Sequence, residues 1–339
     1  MTISVIITVY NLEGFVAQAI ESVFSQTVKA DEIIVIDDGS TDKSAKIIES
    51  FGNQVRLIRM EKNSGVLPSF IEGLKRSTED ILAFLDGDDV WLPDKLEKVI
   101  GVFLQKPDAM MVTHVHKWID KNGYPTGMID ATHVNLKRIT SLANDPVEVD
   151  RLLKNSILCY KGVWLGSAFC IRRRALNLEA YVKWVTALPG KELSHQDQPL
   201  AAYLIYDNPD KKIYFINEEL FLYRVYATNS SGSTVTVDAA IRTINRSIAT
   251  VSRTKDIVQR NKIWKEENFM QDMKLTELQF YKDLYSRNKR KALKAFLKLF
   301  TCYWTGQKRV KETKRLVACT VLGPEKFLQV KTQSRFGKS

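Results

Sequence analysis

Apolar runs of strand length alternate with amphipathic stretches along the first hundred residues, and each run ends in a polar turn. Ile3 to Val9, Ile33 to Ile36 and Ile81 to Leu85 have no helical period, the pattern of strands buried on both faces. With the amphipathic stretches between them, the pattern predicts elements at 3–10, 14–25, 31–37, 42–50, 55–59, 66–76, 81–85 and 94–104. Strand–helix repeats of this length predict right-handed βαβ units and a mostly parallel sheet.

After Ala109 the rhythm changes. Met110, Val112, Val115 and Trp118 read as a strand, and Lys121-Asn122-Gly123 as a hairpin turn. Residues 129–160 carry no clear period, although Val147 to Leu158 fits a helix after the break at Asp145-Pro146. Gly162 to Ile171 reads as a buried strand, and Arg172-Arg173-Arg174 as the opening of a helix. Two further strands are expected at Ile213–Ile216 and Leu220–Val225. From Val235 onward helical spacing takes over, as in Ile241, Ile244, Ile248 and Val251, and again in Leu275, Leu278, Tyr281, Leu284 and Tyr285. The pattern divides the chain into an α/β domain at 1–235 and a helical region at 236–339.

Charge adds a second contrast. Residues 238–339 hold 24 Lys+Arg against 9 Asp+Glu, whereas the remainder is mildly acidic, so the helical region is expected to meet a charged partner. No window approaches the roughly 20 apolar residues of a membrane span, and the first apolar run lacks a basic leader. Cys159, Cys170, Cys302 and Cys319 show no metal-like spacing, which fits a reduced, cytoplasmic setting.

The candidate chemistry sits where the apolar runs stop. Leu85 is followed by Asp86, Gly87, Asp88 and Asp89. Three carboxylates in four residues repel one another, and a divalent cation bound by hard oxygen ligands removes that repulsion. Asp37-Asp38-Gly39-Ser40-Thr41-Asp42 repeats the design after the second run, and Tyr10-Asn11 closes the first. Three such strand ends on one edge make a cleft where open α/β sheets place ligands. Asp197, in Gln196-Asp197 before an apolar helix, is either a helix cap or a proton acceptor.

Taken in order, TVYN at 8–11, SVFSQT at 22–27, IIVIDDGSTD at 33–42 and FLDGDDVW at 84–91 resemble a family 2 glycosyltransferase of the GT-A fold, densely over 3–100 and thinly to about 230. The resemblance implies a Rossmann-like, mostly parallel mixed sheet flanked by helices, with a nucleotide-sugar half at about 1–105 and an acceptor half at about 106–235. It implies inverting transfer of one sugar from a nucleotide-sugar donor to a glycan or lipid-linked acceptor in surface polysaccharide biosynthesis. Carried over residue by residue, it gives Thr8, Tyr10, Asp37, Asp38, Asp86, Gly87 and Asp88 to the donor. Asp88 would be the direct ligand of Mg²⁺ or Mn²⁺, with Asp86 nearer the ribose and metal-bound water. Asp197 would be the general base, with His195, Gln196, Arg224 and Tyr226 on the acceptor side. Asp89 reads as a helix-start charge, and Ser40, Thr41 and Asp42 as caps of the following helix. Phe70-Ile71 stands where relatives carry Arg-Asn, a departure that resembles the subset including rhamnosyltransferases. Tyr226 stands where relatives often have His, and Thr8 where many have Pro.

Two rival readings are weaker. A nucleotidyltransferase would show a glycine-rich basic signature near the N-terminus, and Thr2 to Asn11 has none. The basic region lacks a nucleic-acid-binding motif, so no nucleic acid is expected. Ser286 to Trp304 instead combines six Lys and Arg with Leu293, Phe296, Leu297, Phe300, Tyr303 and Trp304, the composition of a helix lying on an anionic membrane. On that reading the protein is cytoplasmic and peripheral on the inner face of the cell membrane.

Overall fold

The computed structural model describes residues 1–127, 147–149, 166–208, 210–226, 236–260 and 265–336. The chain divides into two compact units, Met1–Val225 and Tyr226–Ser339.

The first unit is built on one mixed sheet. Strands β1 (Ile3–Val9), β2 (Glu32–Asp37), β3 (Arg56–Arg59) and β4 (Ile81–Asp86) alternate with helices α1 (Val16–Phe24), α2 (Ser44–Glu49) and α3 (Val66–Arg76). Then follow β5 (Val90–Trp91), α4 (Lys95–Gln105), β6 (Ala109–Ile119), β7 (Val147–Val149), β8 (Cys170–Arg172), α5 (Leu178–Ala187), α6 (Asp197–Asp207) and β9 (Lys212–Arg224). The strand order is β3-β2-β1-β4-β8-β6-β9-β5, with β7 also pairing β9. The four N-terminal strands are parallel, β8 runs antiparallel between β4 and β6, and β6 and β9 are parallel. The apolar runs lie at the centre: Val5, Ile7, Val35, Ala83 and Leu85 are all buried in one core with Val16, Ile20, Val99 and Phe103 from the helices. The α/β fold expected from the alternation is the one observed.

Four local readings are corrected. Val147–Val149 is a strand antiparallel to β9 and not the start of a helix; the rest of that segment, 150–158, lies outside the described residues. Of the strand expected at 162–171, residues 166–168 form a turn and only Cys170–Arg172 pairs, while 162–165 lies outside the described residues. The triple arginine opens a 3₁₀ turn, Arg173–Ala175, and not an α-helix. Arg172 is buried because its guanidinium caps the carbonyls of Ala109 (2.8 Å) and Phe103 (2.6 Å). The two strands expected at 213–225 are one 13-residue strand. Exposed Asn217 and Glu219 interrupt its apolar pattern where the β6 register shifts at a bulge.

The second unit is all helix over the described residues: α7 (Val237–Arg260), α8 (Lys265–Tyr285), α9 (Lys289–Cys302), α10 (Gly306–Leu322) and α11 (Pro324–Phe336). Its own core gathers Ile244, Val251, Leu278, Phe280, Phe296, Leu299 and Trp304. Phe280 and Phe296 pack edge-on to Trp304 at 5.4 and 5.6 Å. The apolar face expected to meet a membrane is therefore largely spent on this core. Of its members, Leu293 and Leu297 are the ones left exposed.

Candidate active site

Parallel pairing brings three strand ends to one edge. Thr8 lies opposite Asp86 on one side and Ile36 on the other, and Val9 lies opposite Asp37. Asp86 ends β4, and Thr8 Oγ1 donates to its carboxylate at 3.4 Å. Gly87 turns the chain immediately: its N–H donates to the Thr8 carbonyl at 3.0 Å, and a Cβ there would come within 2.8 Å of the Val9 side chain. The glycine thus serves the close approach of β1.

Gln196 and Asp197 reach the same edge from the start of α6. The buried Gln196 donates its amide to Asp86 Oδ1 at 3.2 Å. Asp197 accepts the N–H of Gln198 at 2.7 Å, as a carboxylate at a helix start does. The Asp86 carboxyl is pushed up to about 7, first by burial and then by the charges of Asp88 and Asp197. Burial also raises Asp197, and His195 opposes the rise. Sequence positions 86, 88, 195, 196 and 197 are thus electrostatically one site, brought together from segments 110 residues apart.

Asp89 is not a helix-start charge. It is buried, accepting the Ser167 hydroxyl at 2.6 Å and the Arg224 backbone N–H at 2.9 Å. Burial and its acidic neighbours Asp88 and Asp86 hold its carboxyl well above the usual range. Arg224, expected on the acceptor side, is a buried clamp under the turn. It donates to the carbonyls of Asp88 (2.8 Å), Asp120 (3.2 Å) and Lys121 (3.1 Å) and to the Gln18 side chain (2.7 Å), and stacks over Phe15. Lys95 is wholly buried, with its ammonium on the Ser167 carbonyl (2.6 Å) and over the Trp91 ring (3.7 Å); burial lowers it to about 7. Ser167 and Lys95 have no periodicity signal of their own. The sequence hint is the run of small residues Gly166-Ser167-Ala168, the kind of chain that lets another segment come close.

The first acidic turn is used differently. Asp37 accepts the Ser40 N–H at 3.0 Å and pairs with Arg59 at 3.4 Å. Asp38 accepts the N–H groups of Ser64 and Gly65, both at 2.8 Å, and so pins the loop before α3. Of the expected caps, Asp42 accepts the Ser44 N–H at the start of α2, whereas Ser40 Oγ instead takes the Asn11 N–H and Thr41 donates to the Asn11 side chain. Beside this turn an open cavity of about 440 Å³ is lined by Gly39, Ser40, Thr41, Arg59, Met60 and Glu61. Tyr10 is exposed at the end of β1, and Tyr226 is the first residue of the helical unit.

The donor set suits a hard divalent cation. Among the described residues no three His, Cys, Asp or Glu converge as a closed metal cage. Asp86 and Asp88 nevertheless offer carboxylate oxygens whose mutual repulsion a cation would relieve. One or two carboxylates, with water and substrate phosphate completing the sphere, is the usual arrangement for Mg²⁺.

Comparison with known proteins finds glycosyltransferases. Residues 4–158 match the family model for glycosyl transferase family 2. An uncharacterised glycosyltransferase of Nostoc sp. is 40% identical over 126 residues, covering 36% of this chain and 38% of the relative. A putative teichuronic acid biosynthesis glycosyltransferase of Bacillus subtilis is 30% identical over 159 residues, covering 46% of this chain and 58% of the relative. The chain thus spans less than two thirds of either. Two solved structures share the fold over nearly the whole chain. S. aureus TarS 1–349 in complex with UDP-GlcNAc has a TM-score of 0.59 at 17% identity, covering 99% of this chain and 92% of that one. A Pyrobaculum calidifontis mannosyltransferase in complex with GDP-Man and Mn²⁺ has a TM-score of 0.51 at 13% identity, covering 99% and 88%.

Proposed function

Because residues 4–158 belong to glycosyl transferase family 2, we propose that this chain moves a single sugar from a nucleotide-sugar donor to a glycan or lipid-linked acceptor, with inversion at the anomeric carbon. The observation that carries the reading is the meeting of the acidic turn with the start of α6, where Gln196, next to Asp197, donates to Asp86 Oδ1 at 3.2 Å. That meeting would bring the leaving diphosphate and the acceptor hydroxyl to one edge.

Asp88 and Asp86 would hold Mg²⁺ or Mn²⁺, which supplies charge neutralisation of the departing diphosphate. Thr8 and Tyr10 at the end of β1, with the turn at Asp37 and Asp38, would hold the nucleoside. Asp197 takes the proton of the acceptor hydroxyl as its oxygen attacks the anomeric carbon. The bond from that carbon to the diphosphate oxygen breaks, and the nucleoside diphosphate leaves. Gln196, next to Asp197 and donating to Asp86, ties the start of α6 to the acidic turn. A raised Asp197 is a stronger base than a free aspartate, which suits proton removal.

A surface glycan or its lipid-linked precursor is the acceptor class that fits the helical unit. On α9, Arg290, Lys291, Lys294 and Lys298 are exposed beside Leu293 and Leu297. Among the described residues none of these four cations has an acidic partner. Each would contribute about 1 kcal/mol at an anionic membrane, so binding to anionic vesicles should fall steeply with salt. Among the described residues no helix is long and apolar enough to cross a membrane.

A screen of nucleotide sugars with Mn²⁺, reading product by mass and anomeric configuration by NMR, tests the activity. Asp197→Asn should turn over about 10²–10⁴-fold more slowly with donor affinity unchanged. Near-normal turnover in that variant would remove Asp197 from the role.

A further inference from the structure

The turn that carries Asp86 and Asp88 is held from outside its own segment. Ser167 Oγ accepts the Asp86 backbone N–H at 3.0 Å and donates to Asp89 Oδ2 at 2.6 Å. Its carbonyl receives the Trp91 indole N–H at 3.1 Å and the Lys95 ammonium at 2.6 Å. One residue thus grips the acidic turn before, within and after its three carboxylates. Ser167 is wholly buried, so water cannot stand in for a lost partner.

Gly166 faces the other way. A Cβ built on it would lie 2.9 Å from Gln196 Nε2 and 3.5 Å from Asp86 Oδ2. The bridge from Gln196 to Asp86 therefore exists only because residue 166 has no side chain. Gln196 immediately precedes Asp197, so the same gap sets where the base-bearing helix begins.

We propose that Gly166–Ser167 is the positioning element that sets the distance between the carboxylates of the acidic turn and Asp197. Ser167 fixes the turn, and Gly166 leaves the space through which Gln196 couples the turn to α6. The inference rests on the roles given above to Asp86, Asp88 and Asp197. It separates the two neighbours functionally. Loss of the Ser167 hydroxyl frees the turn and weakens cation binding. A methyl at 166 meets the far end of a flexible side chain, so the chain still folds, but Gln196 swings away and the base shifts.

The test uses the full chain and three readouts: hydrogen exchange of residues 81–92, Mn²⁺ affinity by electron paramagnetic resonance, and turnover. Ser167→Ala should speed exchange in that segment and weaken Mn²⁺ about 10-fold or more, as loss of a residue supporting a metal ligand does. Gly166→Ala should leave Mn²⁺ affinity within about twofold and lower kcat by about 10- to 100-fold, the cost of a misplaced reacting group. If Ser167→Ala does not fold, Lys95→Met removes one donor from the same carbonyl and should give a smaller change of the same kind. Wild-type exchange and Mn²⁺ affinity in a folded Ser167→Ala would overturn the proposal. Should the wild type bind no Mn²⁺, the metal reading fails, and exchange alone decides: faster exchange supports the positioning role, and unchanged exchange overturns it.

Discussion

The two acidic turns share a design and differ in fate. Both follow a buried strand, both place carboxylates beside a glycine, and both sit at the same sheet edge. At Asp37-Asp38 the carboxylates are consumed by the protein: three backbone N–H groups and Arg59 take them up. At Asp86–Asp89 the Asp89 carboxylate is taken up by Ser167 and the Arg224 N–H. Among the described residues Asp86 receives two side-chain donors, Thr8 and Gln196, and is repelled by Asp88 and Asp197. Backbone N–H groups hold the first turn, whereas at Asp86 the donors are side chains and the neighbouring charges are acidic.

Swapping alanine into each turn should separate these roles most sharply. Asp88→Ala is expected to cut turnover by about 10²–10³-fold, the size of losing one fixed electrostatic group. The variant should remain folded, as its melting curve would show. Asp38→Ala should do the reverse. The part-buried Ser64 N–H loses its acceptor and the Gly65 N–H keeps only Asn63 Oδ1, a cost of about 1–3 kcal/mol that thermal unfolding would register. Parallel activity and melting curves on both variants check the pair, and equal destabilisation would erase the distinction.

Acidity gives a smaller but cleaner contrast. In the metal-free protein Asp86 holds a proton up to about 7, and Mn²⁺ must displace it. Mn²⁺ affinity should therefore fall about tenfold per pH unit below 7 and level off above it, which titration at several pH values would reveal. The smallest effect concerns Lys95. Burial lowers it to about 7, while the unfolded chain keeps that proton to about 10.5. Folding releases the proton between those limits. Relative to Lys95→Met, the wild type should gain stability as pH climbs from 7 to 10 and lose that gain as pH falls back through 7.

The strands were legible in the sequence because burial on both faces leaves an unbroken apolar run, as in Ile33–Ile36 and Ile81–Leu85. The motif order that pointed to the family was legible for the same reason, since the chemistry starts where those runs stop. Asp89 was misread because its fate is decided by Ser167 and Arg224, 78 and 135 residues further along. Local spacing carries no trace of partners that distant. Arg224 was expected at the acceptor side or in support of it; that it clamps the acidic turn is told only by its carbonyl partners. On the basic helix, Phe296 and Trp304 face their own unit's core, a destination that periodicity cannot tell from a membrane, while Leu293 and Leu297 stay exposed.

The Arg224 clamp has a bearing on how the protein is made. Its guanidinium joins Gln18, Asp88 and Asp120, so the last strand of the first unit closes contacts opened by the first helix. During synthesis, strands β1 to β4 can pair as they emerge, but the acidic turn waits for Ser167 and is fully fastened only once residue 224 has left the ribosome. Contacts of such sequence separation make assembly slow and late. The cell therefore makes a sheet first and a finished acidic edge only afterwards, so a chain stalled before β9 holds Asp86, Asp88 and Asp89 in a turn that has not been fully set.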